Sequence, residues 1–149
     1  MRDVILIDLD HTICDSFWRD QMVGVAPWDV YHMELEHDDP AHDLIEFMSL
    51  VDGHDRQFIG ITSRPEKFRQ LTMLWMMKHN VMFLDDILMR PNNDFRTAHE
   101  VKISLCEERF GENWQDRILC LIDDNDRVIE AFRGAGVTCL QVFNKRGEK

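Results

Sequence analysis

Short apolar runs recur along this chain, each followed by a longer stretch with helical spacing. The first, Val4-Ile5-Leu6-Ile7, stops at Asp8-Leu9-Asp10-His11-Thr12. An unbroken apolar run of this length predicts a fully buried strand of a parallel sheet. Residues 57–62, 87–89, 118–122 and 137–142 predict four more strands. Asp38-Asp39-Pro40 predicts the start of a helix over 41–51, ended by Gly53. Pro65 is expected at the first position of a helix running to His79, with Asn80 just past its end. Thr97 and Glu100 predict a capping box on a helix that ends near Gly111. A last helix starts at Asn125 or Asp126, with Asp126 read as an ordinary cap, and stops at Gly134 and Gly136. Residues 13–40 show no sustained period and predict an irregular segment. Strands alternating with helices in this way predict an α/β fold, a doubly wound sheet of five parallel strands.

The chain has 149 residues, which suits a single domain, 1–149. No stretch approaches the roughly 20 apolar residues that cross a bilayer, so no membrane role is expected. The chain begins almost directly in its first strand, which leaves no room for a signal peptide. Cys14, Cys106, Cys120 and Cys139 have no CxxC or zinc-type spacing, and the seven histidines form no HxxH or HExxH pair. These features predict a reduced, cytoplasmic protein without zinc.

Charge changes this picture in one respect. The net charge is −11, but residues 56–109 carry nine Lys/Arg, whereas residues 13–55 carry eleven acids and only Arg19 as a base. Such runs are ordinary for a solvated surface. A functional reading brings anions to the 56–109 side. The overall acidity argues against tight binding of a long duplex, which needs several phosphate contacts.

The most informative positions are the strand ends. Asp8 and Asp10 close the first apolar run, and Asp123-Asp124 close the run at 118–122. Open α/β sheets place ligands at the carboxyl ends of their strands. Carboxylates from two such ends can hold one hard divalent cation, Mg²⁺, with one carboxylate also serving as a nucleophile.

Asp8-Leu9-Asp10-His11-Thr12 resembles the first motif of the haloacid-dehalogenase (HAD) superfamily of phosphotransferases. Ile61-Thr62-Ser63-Arg64 resembles its second, Lys102 stands for the third, and Asp123-Asp124 for the fourth. The resemblance covers nearly the whole chain. It implies a HAD-like Rossmannoid sheet with strand 1 central, which puts Asp8, Ser63 and Asp123 at adjacent strand ends. It also implies a phosphomonoesterase in which Asp8 attacks phosphorus, forming an aspartyl-phosphate. Asp10 would protonate the leaving alcohol and later deprotonate water. Mg²⁺ would be held by Asp8, the main-chain carbonyl of Asp10, and Asp123, with Asp124 on a metal-bound water. Thr12 would fix the loop, Ser63 and nearby N–H groups would bind phosphoryl oxygens, and Lys102 would neutralise phosphate and nucleophile. Bland readings stand beside these: Ser63 as a helix cap and Lys102 as a surface lysine.

Only residues 13–40 are available for a cap after the first motif, enough for a flap and not for a domain. The site is therefore expected to be open, suiting a large substrate or closure by another subunit. The Met73-Leu74-Trp75-Met76-Met77 run is too apolar for one helix face, and part of it suits either the core or a homo-oligomer contact. A closer resemblance lies in Leu88-Met89-Arg90-Pro91, Asp94-Phe95-Arg96, Val101-Lys102 and the 136–142 segment. These residues look like the phosphatase domain of phage-type polynucleotide kinase/phosphatase. That family removes 3′-phosphates from nucleic-acid ends and can act on nucleoside 3′-phosphates.

By position in that family, Arg64 and Arg19 would be anion contacts for a phosphorylated nucleotide or nucleic-acid end. His11 replaces a usual glycine, and Ala98 stands where an aspartate often supports the lysine. No GxxxxGK[ST] is present, so kinase activity would require a separate partner, as would a ligase. Trp18, Trp28 and Tyr31 can either anchor the 13–40 segment or stack a base. The remaining readings are a nucleoside 5′-monophosphate phosphatase and a non-catalytic phosphate-binding module.

Overall fold

The computed structural model describes residues 1–52 and 55–143. Its elements, in chain order, are β1 (Val4–Ile7), β2 (Cys14–Asp15), α1 (Trp28–Met33), β3 (Asp39–Pro40), α2 (His42–Val51), β4 (Gln57–Pro65), α3 (Arg69–Lys78), β5 (Asp86–Arg90), α4 (Ala98–Phe110), β6 (Ile118–Asp123), α5 (Asp126–Gly134) and β7 (Cys139–Gln141). Five strands form one parallel sheet in the order β5-β4-β1-β6-β7. The expected central strand is central. Val4, Leu6 and Ile7 on β1 are fully buried, because helices cover both faces of the sheet. One face packs Ile7, Phe58, Trp75, Met76 and Ile87; the other packs Leu6, Ile61, Val101, Val128 and Phe132.

Register sets the site. Ile7 on β1 lies beside Ile122 on β6 and Gly60 on β4. The β1–β6 register shifts once, between Val4 and Ile5, so that Leu119 has no partner on β1. The main-chain N–H of Asp8 then donates to the carbonyl of Ile122 at 2.9 Å, and Asp8 and Asp123 arrive side by side.

Several boundaries follow the sequence reading. The Thr97–Glu100 capping box is present, Gly111 ends α4, and Asn80 adopts the left-handed conformation (φ 55°) after α3. Others need correction. The 13–40 segment is more ordered than expected: it holds the β2–β3 ribbon, α1 and two 3₁₀ turns, Phe17–Met22 and Glu34–His37. These turns are too short to leave a periodic signature in sequence. Asp38 caps no helix, since Asp39 and Pro40 pair with β2 and Ala41 precedes α2. Pro65 closes β4 and caps a short 3₁₀ turn, Glu66–Phe68, so it precedes the helix instead of opening it. Asn125, not Asp126, caps α5, accepting from the N–H groups of Arg127 and Val128. Gly53, expected to end α2, lies outside the described residues.

On α3, Trp75 and Met76 are buried while Met73, Leu74 and Met77 are exposed, so the apolar run is split between core and surface. Among the described residues, no helix is long and apolar enough to cross a membrane.

Candidate active site

The carboxyl ends of β1, β4 and β6 open into a cleft of about 650 Å³ lined by Asp8, Asp10, Ser63, Lys102, Asp123 and Asp124, among others. Asp8, 5% exposed, accepts from Lys102 Nζ at 2.7 Å through one oxygen and from Thr12 Oγ1 at 3.0 Å through the other. Lys102 Nζ also donates to Asp123 at 2.6 Å. It is buried on α4 with its ammonium between two strand tips, so the surface reading of this lysine is set aside. Ala98, one turn earlier on α4, supplies no acid to support Lys102; Asp8 and Asp123 do so directly. Thr12 bridges to Asp124 at 3.4 Å, and the second oxygen of Asp123 accepts from the Asn125 N–H.

Asp8, Asp123 and Asp124 bring their ligand oxygens within 4.8 Å of one another. Burial, and then the neighbouring Asp123 carboxylate, push the Asp8 carboxyl well above its ordinary range. Burial also raises Asp124. For Lys102, burial opposes the charge, but Asp123 and Asp8 outweigh it and raise its pKa. Three carboxylates thus face one ammonium. An oxygen-rich cluster with excess negative charge fits a hard divalent cation, which would relieve the repulsion that raises Asp8.

Asp10, two residues beyond Asp8, meets different partners. Its Oδ1 accepts from Arg19 at 2.7 Å and Arg64 at 2.8 Å, and its Oδ2 from Arg64 Nε at 3.0 Å. Burial would raise its pKa, but the Arg64 and Arg19 guanidinium groups hold it far below the usual carboxylate range. Arg19 is anchored in turn by Asp38, at 2.8 Å and 2.6 Å, and lies under the Tyr31 ring at 4.4 Å. Arg64 also donates to Thr72. Both arginines are 0% exposed and stand behind Asp10, away from the cleft surface. In this structure the anion that each of them meets is a carboxylate of the protein. In sequence, Asp38-Asp39-Pro40 has the pattern of a helix opening, and nothing local marks Asp38 as an arginine partner.

Ser63 lies at the cleft, and its carbonyl accepts from Arg90 Nε at 2.7 Å. His11 has φ 61°, a left-handed conformation that explains why glycine is usual there. Its ring stacks on Phe17, contacts Ser16 Oγ at 3.2 Å and meets Asp20 at 3.0 Å, which holds the histidine in the loop. Of the three aromatics singled out in the insert, Trp18 donates to Asp38 at 2.9 Å and lies outside this cleft, and Tyr31 is buried against Arg19. Trp28 is 60% exposed and lines the cleft. Phe95, 92% exposed, lines it too. A solitary apolar residue in a loop carries no sequence signal that it faces a cleft.

Comparison with known proteins agrees with this geometry. A structure titled "Structure of the Pnkp1/Rnl/Hen1 RNA repair complex" superposes with a TM-score of 0.78 at 21% identity, covering 95% of this chain and 42% of that one. The chain therefore spans less than half the length of that relative. A hydrolase from Streptococcus pneumoniae TIGR4 matches with a TM-score of 0.62 at 14% identity, over 97% of this chain and 95% of its own. The magnesium-bound HAD-hydrolase YfnB from Bacillus subtilis matches with 0.63 at 14% identity, over 92% and 85%. At these identities the likeness establishes the α/β fold. No curated protein matches the chain. A family model for the polynucleotide kinase PNKP phosphatase domain matches residues 2–146, from the first strand to beyond the last. The chain belongs to that family of HAD phosphatases, which are phosphoric monoester hydrolases.

Proposed function

We propose that this phosphatase removes 3′-phosphates from nucleic-acid ends or nucleotides through an aspartyl-phosphate on Asp8. The observation that carries this reading is the pair Asp8 and Asp10 at one strand end, with Lys102 on the first and two arginines on the second. Asp8 is the nucleophile: its oxygen attacks phosphorus and the bond to the leaving alcohol breaks. Asp10, ionised beside its two arginines, relays a proton from the phosphate monoanion to that alcohol and then takes one from the water that hydrolyses the acyl phosphate, regenerating a protonated phosphate. Its arginine partners fix the carboxylate's orientation and favour its ionised form, from which the second half-reaction starts. Lys102 neutralises charge between nucleophile and phosphoryl group, and Ser63 with its neighbouring N–H groups receives phosphoryl oxygens. Thr12 holds the unused oxygen of Asp8.

Asp8, Asp123 and Asp124 would hold Mg²⁺, together with the Asp10 carbonyl. When bound, the ion supplies charge neutralisation for the approach of a phosphate dianion to a carboxylate. Arg19 and Arg64 act through Asp10, as positioning residues. The 3′-end reading rests on the family match, and on the association of one structural neighbour with RNA repair. A kinase or ligase acting beside this phosphatase belongs to the same reading.

The test is phosphate release, with and without Mg²⁺, from 3′- and 5′-phosphorylated oligonucleotides, the matching mononucleotides and an aryl phosphate. We expect release from 3′-phosphates, abolished by Asp8→Asn. Exclusive cleavage of 5′-monophosphates would replace the substrate assignment with the 5′-nucleotidase reading. Activity unchanged in Asp8→Asn would overturn the nucleophile. Binding of phosphate analogues without turnover would favour a non-catalytic module.

A further inference from the structure

A phosphoryl group fills little of a cleft of about 650 Å³. Two exposed aromatic side chains are among the residues that line it. Trp28 opens α1 in the insert, 60% exposed, with its ring edge-on to Tyr31 at 5.3 Å. Phe95 sits on the 91–97 loop. That loop is pinned: Arg90 donates to the carbonyls of Ser63, Asp94 and Arg96, at 2.7, 3.0 and 2.6 Å. Asp94 and Arg96 pair at 2.6 Å, and Asn92 accepts from the Lys67 N–H at 2.9 Å. The α1 side is fixed as well. Asp29 accepts from Lys67 Nζ at 2.7 Å, and His32 packs on Phe68 at 5.3 Å. Two exposed aromatic rings are therefore held on ordered supports in the lining of one cleft.

We propose that Trp28 and Phe95 form a stacking subsite for the unpaired base of the nucleoside that carries the scissile phosphate. This rests on the nucleotide-phosphatase reading above and names its substrate more narrowly: an unstacked terminal nucleotide, not a sugar phosphate. Several features favour a base over another flat group. Lys67, Arg90 and Arg96 line the same cleft, where an anionic backbone attached to the base would pass. Every base offers a π-face, so stacking on two aromatic rings would accept any of the four. Because the supports are already ordered, little entropy is lost when the base binds.

The test uses the full chain and a matched pair of 3′-phosphorylated dinucleotides, with either a base or an abasic sugar at the phosphorylated position. Wild type is expected to favour the base-bearing substrate in kcat/KM by about ten-fold or more, the factor typical of one stacked base. Phe95→Ala and Trp28→Ala are each expected to raise KM on that substrate by about ten-fold. Both should leave kcat within about two-fold and leave the abasic substrate unaffected. Phe95→Trp is expected to restore binding. Unchanged KM in both alanine variants, or equal slowing of both substrates, would overturn the subsite while leaving the phosphatase assignment standing. Failure of wild type to cleave either dinucleotide, with cleavage of an aryl phosphate, would overturn the nucleotide reading and the subsite with it.

Discussion

The indole N–H of Trp75, on helix α3, donates to the main-chain carbonyl of Asp38 at 2.8 Å. A core helix thereby fixes the residue whose carboxylate holds Arg19, and Arg19 holds Asp10. Trp75→Phe keeps most of the buried ring and removes only the donor. The carbonyl of Asp38 is then left short of a partner in a dry site, and we expect a loss of about 1–3 kcal/mol. Equilibrium urea unfolding checks this, and a loss near zero would mean that water replaces the indole.

Asp38→Asn should be costlier. It removes the anion between two fully buried arginines and leaves Asp10 as their only full counter-charge among the described residues. Breaking a buried pair in this way costs about 3 kcal/mol or more. Activity should fall at least ten-fold as Asp10 loses its fixed orientation, and the variant's urea midpoint and kcat together test the point. Retained kcat would separate Asp38 from the site.

Lys102→Met is expected to lower kcat by about 10²–10³, the usual effect of losing one preorganised charge at the reacting centre. Steady-state rates on the preferred substrate measure it. A loss confined to KM would instead make Lys102 a simple binding group.

Mg²⁺ should stabilise the protein by mass action. At 100 times its dissociation constant, an ion bound only by the folded chain adds about 2.7 kcal/mol. Thermal unfolding across a Mg²⁺ series should show this rise in wild type and lose it in Asp123→Asn. An equal rise in the variant would place the ion elsewhere.

His32 gives a pH signature. Burial lowers its pKa to about 4, below the ordinary value of 6.5. The unfolded chain therefore binds the proton more readily than the folded one between these values. The contribution of His32 to stability is complete above about pH 6.5 and is lost as pH falls toward 4, by up to about 3 kcal/mol. His32→Leu should flatten the slope of unfolding free energy in that window. An unchanged slope would assign it to other groups.

Much of this was legible in the chain itself, and the reasons differ by residue. Asp8, Asp10 and Asp123 stand out because each follows an apolar run, and a buried strand must end at the ligand-bearing edge of such a sheet. The capping box at Thr97 is local chemistry and is read directly. Arg19 and Arg64 show the limit: an arginine near an anion site looks the same in sequence whether it faces a substrate or a carboxylate of the protein. Only the fold puts Asp38 within reach of Arg19, nineteen residues away. The short turns of the insert escape because a period cannot be read from four to six residues. Phe95 escapes because its exposure is a tertiary fact.

The tip of β1 carries one further implication. Asp8 and Asp10 are separated only by Leu9, which is wholly buried, and no hydrogen bond among the described residues joins the lysine-linked acids to the arginine-linked pair. Two networks, one with excess carboxylate and one with matched charges, run from one tripeptide and are separated by a single leucine. On the mechanism proposed above, the half assigned to phosphorus and the half assigned to protons would be open to independent retuning. A redesign for a leaving group of different basicity need alter only the arginine side and can leave the nucleophile's surroundings untouched.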